Sequence, residues 1–253
     1  HALLPEHVVE VFDYDPERFI IAMEDLSDHW VWRGALNEGL THDGAAAAMG
    51  RYVGAVAFGT SALALERKEL AKAVAAAVNP ELCLITEDLV FSEPSADIGR
   101  NSVLETNKKD AADLAADEEF VTAMGRAKWL FMTKGEALIH GDLHTGSVMV
   151  RASGGGTTCD SVKAFDSEFA FYGPVAYDIG CLWANYIIAA ARAFALGDEP
   201  RAEWALGMIQ QTWDGFEEEF RTRWPDRRDP RVWREPFVVQ LLATWKEESR
   251  LFA

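Results

Sequence analysis

Side chains suited to moving a phosphoryl group are gathered in the run Ile139-His140-Gly141-Asp142-Leu143-His144-Thr145-Gly146-Ser147. A second acidic pair, Asp166 and Glu168, follows in Ala164-Phe165-Asp166-Ser167-Glu168-Phe169. The first run has the spacing H-x-D-x-x-x-x-N, with Ser147 in the last place, of a loop that orients a hydroxyl for attack on phosphorus. In that reaction the transition state is loose and its charge is spread over oxygens, so a protein mainly positions the hydroxyl and neutralises charge with magnesium. Mg2+ takes oxygen ligands in an octahedral shell and keeps several waters, so one or two carboxylates suffice. Asp166 and Glu168 are the candidate ligands, and on a regular strand residues two apart share one face. Ser147 offers a hydroxyl to the metal, directly or through water. Asp142 is the candidate catalytic residue, accepting or orienting the proton of the attacking hydroxyl. His140 reads as a brace of the loop, since a lone histidine is more often structural, and His144 is a candidate substrate contact. The bland alternative, a set of surface carboxylates, does not explain why each adjoins a strand-like apolar run.

These residues need strands and helices to hold them. The β-prone runs 148–151 and 162–165 enclose Ser153-Gly154-Gly155-Gly156 and predict a β-hairpin between the loop and the acidic pair. The glycines lack a following helix start with Gly-Lys-Ser, so they read as a loose turn and not a phosphate cradle. Upstream, the runs 8–12 and 19–23 flank the turn-forming Asp13-Tyr14-Asp15-Pro16, which predicts a hairpin or the last strands of a sheet. Helical spacing covers 43–60, 66–78 and 110–133, and Asn79-Pro80 reads as the cap and first-turn proline of a helix reaching about Val90. Residues 92–106 read as a loop, Asp117-Glu118-Glu119 as a solvated face, and the chain from Gly173 onward as helical. The order of loop, hairpin and acidic pair is that of a kinase large lobe.

Composition narrows the partners. The chain has 253 residues, 49% hydrophobic, and a formal net charge of −17 from 41 acidic and 24 basic residues. That charge opposes binding to nucleic acid or acidic membranes. Cys83, Cys159 and Cys181 fit neither a disulfide framework nor a paired metal motif, which suits reduced thiols in a cytosolic setting. The most apolar stretch, 175–196, is broken by Asp178, Asn185 and Arg192, so no membrane span is expected. His1 stands where a methionine would and no leader follows, so no secretory signal is read and the chain is expected to begin within a longer protein. The arginines at 221, 223, 227, 228, 231 and 234 alternate with acids around Trp224 and Trp233, and read as a solvated connection between helices.

HGDLHTGS at 140–147, with Asp166-Ser167-Glu168-Phe169-Ala170-Phe171-Tyr172-Gly173-Pro174 and Asp178-Ile179-Gly180, resembles the methylthioribose kinase family. Met23-Glu24-Asp25-Leu26-Ser27-Asp28 resembles its interlobe hinge, and Asn79-Pro80-Glu81-Leu82-Cys83 through Leu89-Val90-Phe91 a further family stretch. The resemblance runs from about Pro5 to the end. It implies an α+β, protein-kinase-like fold of the aminoglycoside-phosphotransferase-like branch, mainly the helical large lobe, with the small lobe largely missing. Residues 1–26 would be the end of the small lobe and the hinge, and 27–253 the large lobe, truncated at both ends. It implies ATP and Mg2+ as cofactors, adenine contacts from the backbone of Met23, Glu24 and Asp25, catalysis by Asp142, and metal binding by Asp166 and Glu168. Asp178 would be the buried aspartate steadying the catalytic loop. The implied reaction phosphorylates the 1-hydroxyl of the small molecule 5-methylthioribose, in methionine salvage, by a cytosolic homodimer.

Three departures stand out. Ser167 occupies the place of the family's proline, no glycine-rich loop or strand lysine precedes Pro5, and the family's sugar-contacting arginine pair is not found. The rival readings are a kinase of the same branch acting on an aminoglycoside, choline or homoserine, and a non-catalytic nucleotide-binding or interaction protein.

Overall fold

The computed structural model describes residues 3–96, 98–100 and 102–253. The readings at His1 and across the loop 92–106 fall in part on residues 1, 2, 97 and 101, which lie outside the described residues. Strands β1 (Val11–Asp15) and β2 (Ile20–Met23) pair antiparallel, as expected, but the turn comes later. The Asp15 carboxylate accepts the Glu17 and Arg18 N–H groups at 3.1 and 3.0 Å, and Pro16 presets the next φ. Asp13, Tyr14 and Asp15 therefore stay in the strand.

Strand β3 (Trp30–Val31) runs into α1 (Trp32–Asn37), followed by α2 (Ala45–Gly59), α3 (Arg67–Ala76) and α4 (Pro80–Thr86), which continues as a π-helical turn over Glu87–Ser92. The helix expected over 110–133 is two, α5 (Lys108–Ala115) and α6 (Glu118–Thr133). Asp117 separates them: its carboxylate accepts the Glu119 and Phe120 N–H groups at 2.9 and 3.1 Å. The acidic run is a helix start at the positive end of α6, not simply a solvated face. Then come β4 (Ala137–Ile139), β5 (Val148–Arg151), β6 (Ser161–Ala164), β7 (Phe171–Gly173), α7 (Val175–Ala195), α8 (Glu199–Arg223) and α9 (Glu235–Phe252). Strand order is β3-β5-β6 in one sheet and β4-β7 in another, all antiparallel. The glycine stretch is the β5–β6 connection, with Gly154 at φ +73°. The architecture is α+β.

Small residues set how closely the helices meet. A Cβ on Gly50 of α2 would lie 2.0 Å from the Thr212 carbonyl oxygen of α8, and one on Gly215 of α8 2.3 Å from that of Ala47. The two backbones thus touch where neither carries a side chain. Around this contact Trp32 meets Tyr186 edge-on at 5.5 Å, and Phe216, Phe220 and Trp245 fill the space toward α9. A second cluster of Phe91, Phe131, Tyr177 and Phe252 lies beneath β4. Two of the arginines read as a connection, Arg221 and Arg223, lie instead in the last turn of α8, where Arg221 pairs with Glu217 and Glu235 and Arg223 with Glu219, while Arg227 of the connection lies over the Trp224 ring. Among the described residues no helix is long and apolar enough to cross a membrane, and the three cysteines are free.

Gly50→Ala forces a methyl group into the Thr212 carbonyl. We expect a stability loss of about 1–3 kcal/mol, read by chemical denaturation, with no change in secondary-structure content.

Candidate active site

Strand β4 delivers the chain to the site. Its Leu138 N–H donates to Thr60 Oγ1 at 2.9 Å and its partner strand's Tyr172 hydroxyl donates to the Thr60 carbonyl at 2.9 Å, so the end of α2 anchors both strands. Beyond Ile139 the backbone turns into the loop, and α7 meets it there. Asp178, only 2% exposed, accepts the His140 N–H at 2.7 Å on Oδ2 and the Gly141 N–H at 3.0 Å on Oδ1. Burial pushes its carboxyl above the usual range, against the pull of those two N–H groups and of His140.

Gly141 sits at φ +80°, and a Cβ there would stand 2.2 Å from the Phe169 carbonyl oxygen. Only glycine lets the loop and the acidic segment approach so closely. The His140 ring is buried, and Nε2 bonds the Phe165 carbonyl at 2.9 Å. Phe165 in turn donates its N–H to the Ser147 carbonyl at 3.1 Å. Asp142, His140, His144, Ser147 and Asp178 are therefore brought together in one hydrogen-bonded loop.

Asp142 is half-buried, with Nε2 of His144 3.5 Å from its Oδ2. Burial raises its pKa, while His144, His140 and Arg33 lower it and Asp166 adds to the rise. Ser147 is buried and its hydroxyl lies 3.2 Å from His144 Nδ1, so it faces the loop interior.

Asp166 and Glu168 do not share a strand. Strand β6 ends at Ala164, Asp166 is left-handed at φ 64°, and Ser167–Phe169 forms a 3-10 turn. The expectation that strand alternation aligns the carboxylates is corrected: an irregular turn presents them. Asn79 holds that turn from outside, donating Nδ2 to the carbonyls of Glu168 at 2.7 Å and Ala170 at 3.3 Å. Its side chain thus makes no cap for α4, although Pro80 opens that helix as expected. Among the described residues no three His, Cys, Asp or Glu side chains converge as a complete metal cage. Two exposed carboxylates on a turn suit Mg2+, which draws its remaining oxygens from water and phosphate.

Val9, Val11, Ile21, Met23 and Ala164 line an apolar groove that ends at His140, Asp166 and Glu168. Glu24 and Asp25 follow Met23 of this lining in the chain. The Glu24 carboxylate is engaged by the Glu10 N–H and Lys163 Nζ, both at 2.9 Å, and the Glu24 N–H donates to the Glu10 carbonyl at 2.9 Å. Asp25 accepts Ser27 N–H at 2.9 Å. The side chains of Glu24 and Asp25 and the Glu24 N–H are thus occupied within the protein.

Arg33, Asn79, Thr145 and Asn185 escaped the sequence reading. Thr145 Oγ1 donates to Asn185 Oδ1 at 2.7 Å, fixing the loop to the middle of α7. Arg33 Nη2 reaches the same oxygen at 3.5 Å, beside Gly146. Nothing in the spacing pointed to α1, because Arg33 lies more than a hundred residues from the loop.

The model of the phosphotransferase enzyme family matches residues 7–218. Among curated proteins, the chain is 38% identical over its whole length to a methylthioribose kinase of Escherichia coli O45:K1 (strain S88 / ExPEC), covering 59% of it. It is 37% identical over 86% of its length to a methylthioribose kinase of Enterobacter sp. (strain 638), covering 54% of it. With a methylthioribose kinase of Geobacillus kaustophilus (strain HTA426) it shares 36% over 87% of its length, covering 53% of it. The chain thus spans little more than half the length of these relatives.

Asp178→Ala leaves the His140 and Gly141 N–H groups without their acceptor, at about 1–3 kcal/mol each. A clear drop in unfolding free energy is expected, with the largest rise in amide exchange at residues 140–141.

Proposed function

The chain belongs to the phosphotransferase enzyme family, and from that premise we propose that it serves the transfer of the γ-phosphoryl group of ATP to the 1-hydroxyl of 5-methylthioribose. The observation that carries phosphoryl transfer is the closure of the loop on the acidic turn, with Asp178 beneath Gly141 and the Phe169 carbonyl against it. The substrate rests on the three relatives, each a methylthioribose kinase.

In this reading Asp142 takes the proton of the attacking hydroxyl as its oxygen bonds to the γ-phosphorus and the bond to the ADP oxygen breaks. Asp166 and Glu168 would hold Mg2+, which neutralises phosphate charge when bound. Ser147, buried with its hydroxyl beside His144 Nδ1, would add that hydroxyl to the metal or reach it through water. The adenine would enter the groove against Met23, meeting the backbone of 23–25. Residues 1–26 then act as the end of a small lobe with its hinge, and 27–253 as the large lobe. A cytosolic homodimer belongs to the same reading and rests on the resemblance alone.

On the full-length protein, ADP release with Mg-ATP and 5-methylthioribose should fall about 10²–10⁴-fold in Asp142→Asn. Mg-ATP binding without turnover of this sugar would overturn the substrate and turn the assay to other hydroxyl acceptors. Asn79→Ala, which frees the acidic turn, should raise the KM for Mg-ATP by about tenfold with little loss of thermal stability.

A further inference from the structure

His144 has both ring nitrogens turned to the protein. Nδ1 lies 3.0 Å from the Gly146 nitrogen and 3.2 Å from Ser147 Oγ, and Nε2 lies 3.5 Å from Asp142 Oδ2. A backbone N–H can only donate, so Nδ1 must present a lone pair, and the neutral ring then carries its proton on Nε2. Burial disfavours the doubly protonated ring most strongly, the Asp142 carboxylate opposes that, and the positive charge of Arg33 adds to it, leaving the His144 pKa below the usual imidazole range. The ring is also confined. A Cβ on Gly146 would stand 2.7 Å from His144 Cε1 and 3.0 Å from Arg33 Cζ, so imidazole and guanidinium press on that glycine together.

A side chain fixed this way carries its one N–H on the nitrogen that lies 3.5 Å from the carboxylate of the candidate catalytic residue. The separation of 3.5 Å exceeds an ordinary hydrogen bond, and such contacts often tighten only when substrate is bound. Resting on the phosphoryl-transfer reading, we propose that His144 is a positioning residue: locked as the Nε2–H tautomer by the Gly146 amide, it holds Asp142 Oδ2 and leaves Oδ1 for the acceptor hydroxyl. The substrate-contact role expected from the sequence would need a free ring nitrogen, and both have protein neighbours. A purely structural role, as cap of the turn Thr145–Ser147, would need only Nδ1.

Two substitutions separate these roles. His144→Asn keeps an acceptor near the Nδ1 position but cannot reach Asp142. His144→Gln places an amide N–H at about the reach of Nε2. On the full-length protein, His144→Asn should lower kcat about 10–100-fold, as loss of an outer-shell partner does, with the acceptor KM nearly unchanged, and His144→Gln should recover most of it. Full activity in His144→Asn overturns the proposal in favour of the cap, and a raised acceptor KM at unchanged kcat overturns it in favour of substrate contact.

Nitrogen-15 spectra of labelled histidine supply a readout that needs no turnover. His144 should show a bare Nδ1 and a protonated Nε2, and its Nε2 resonance should move in Asp142→Asn. A protonated Nδ1, or an Nε2 indifferent to Asp142→Asn, overturns the proposal. Absence of turnover with any acceptor would instead strike the phosphoryl-transfer reading, because the two spectral outcomes stand apart from activity.

Discussion

Two backbone N–H groups pointing at one buried carboxylate organise the site. Asp178 could accept a single bond and still be satisfied, but it accepts from consecutive residues, His140 and Gly141, and so fixes the direction of the chain as well as its place. The carboxylate comes from the first turn of α7, where a negative charge also suits the helix dipole. That helix start is itself held, since the Val175 N–H donates to Glu136 Oε2 at 3.1 Å. Glu136 also accepts from Trp245 Nε1 at 3.0 Å, and Lys134 bridges Glu136 and Glu248. A polar chain therefore runs from α9 through the root of β4 to the loop, each member supplying the partner that its neighbour's burial demands.

Close approach of backbones is the second constraint. At Gly141 the absent Cβ admits the Phe169 carbonyl, and at Gly50 and Gly215 it admits helix backbone. The first contact brings the acidic turn to the loop; the second holds α2, whose end anchors β4. Asn79 completes the arrangement by gripping the outer carbonyls of the turn. The carboxylates thus owe their placement to atoms that carry no charge. In a chain with net charge −17, burial leaves the Asp142 carboxyl above its usual range, with Asp166 adding to the rise and His144, His140 and Arg33 opposing it.

Much of this was readable along the chain. The hairpin β5–β6 and the helices α2 and α3 follow from apolar spacing and turn residues, which act over a few positions. The misreadings share a cause. Asp117 is solvated as read, but its bond to the Glu119 N–H, which also starts a helix, was missed. Asn79 looked like a cap because it precedes proline, yet its amide finds carbonyls about ninety residues away. Short polar side chains have local and distant partners of similar strength, and spacing cannot rank them.

The sequence by itself determined the order in which the candidate acidic, imidazole and hydroxyl side chains occur, since they are written in short motifs. It also determined the periodicities that make the helices and the hairpin. Tertiary structure alone decided how Asp166 and Glu168 are presented, that Arg33 stands beside the loop, and that His144 faces Asp142 and not the open groove. Those outcomes depend on backbone direction at Gly141, Gly146 and Asp166, and such directions are set by hydrogen bonds and close contacts between segments far apart in the chain.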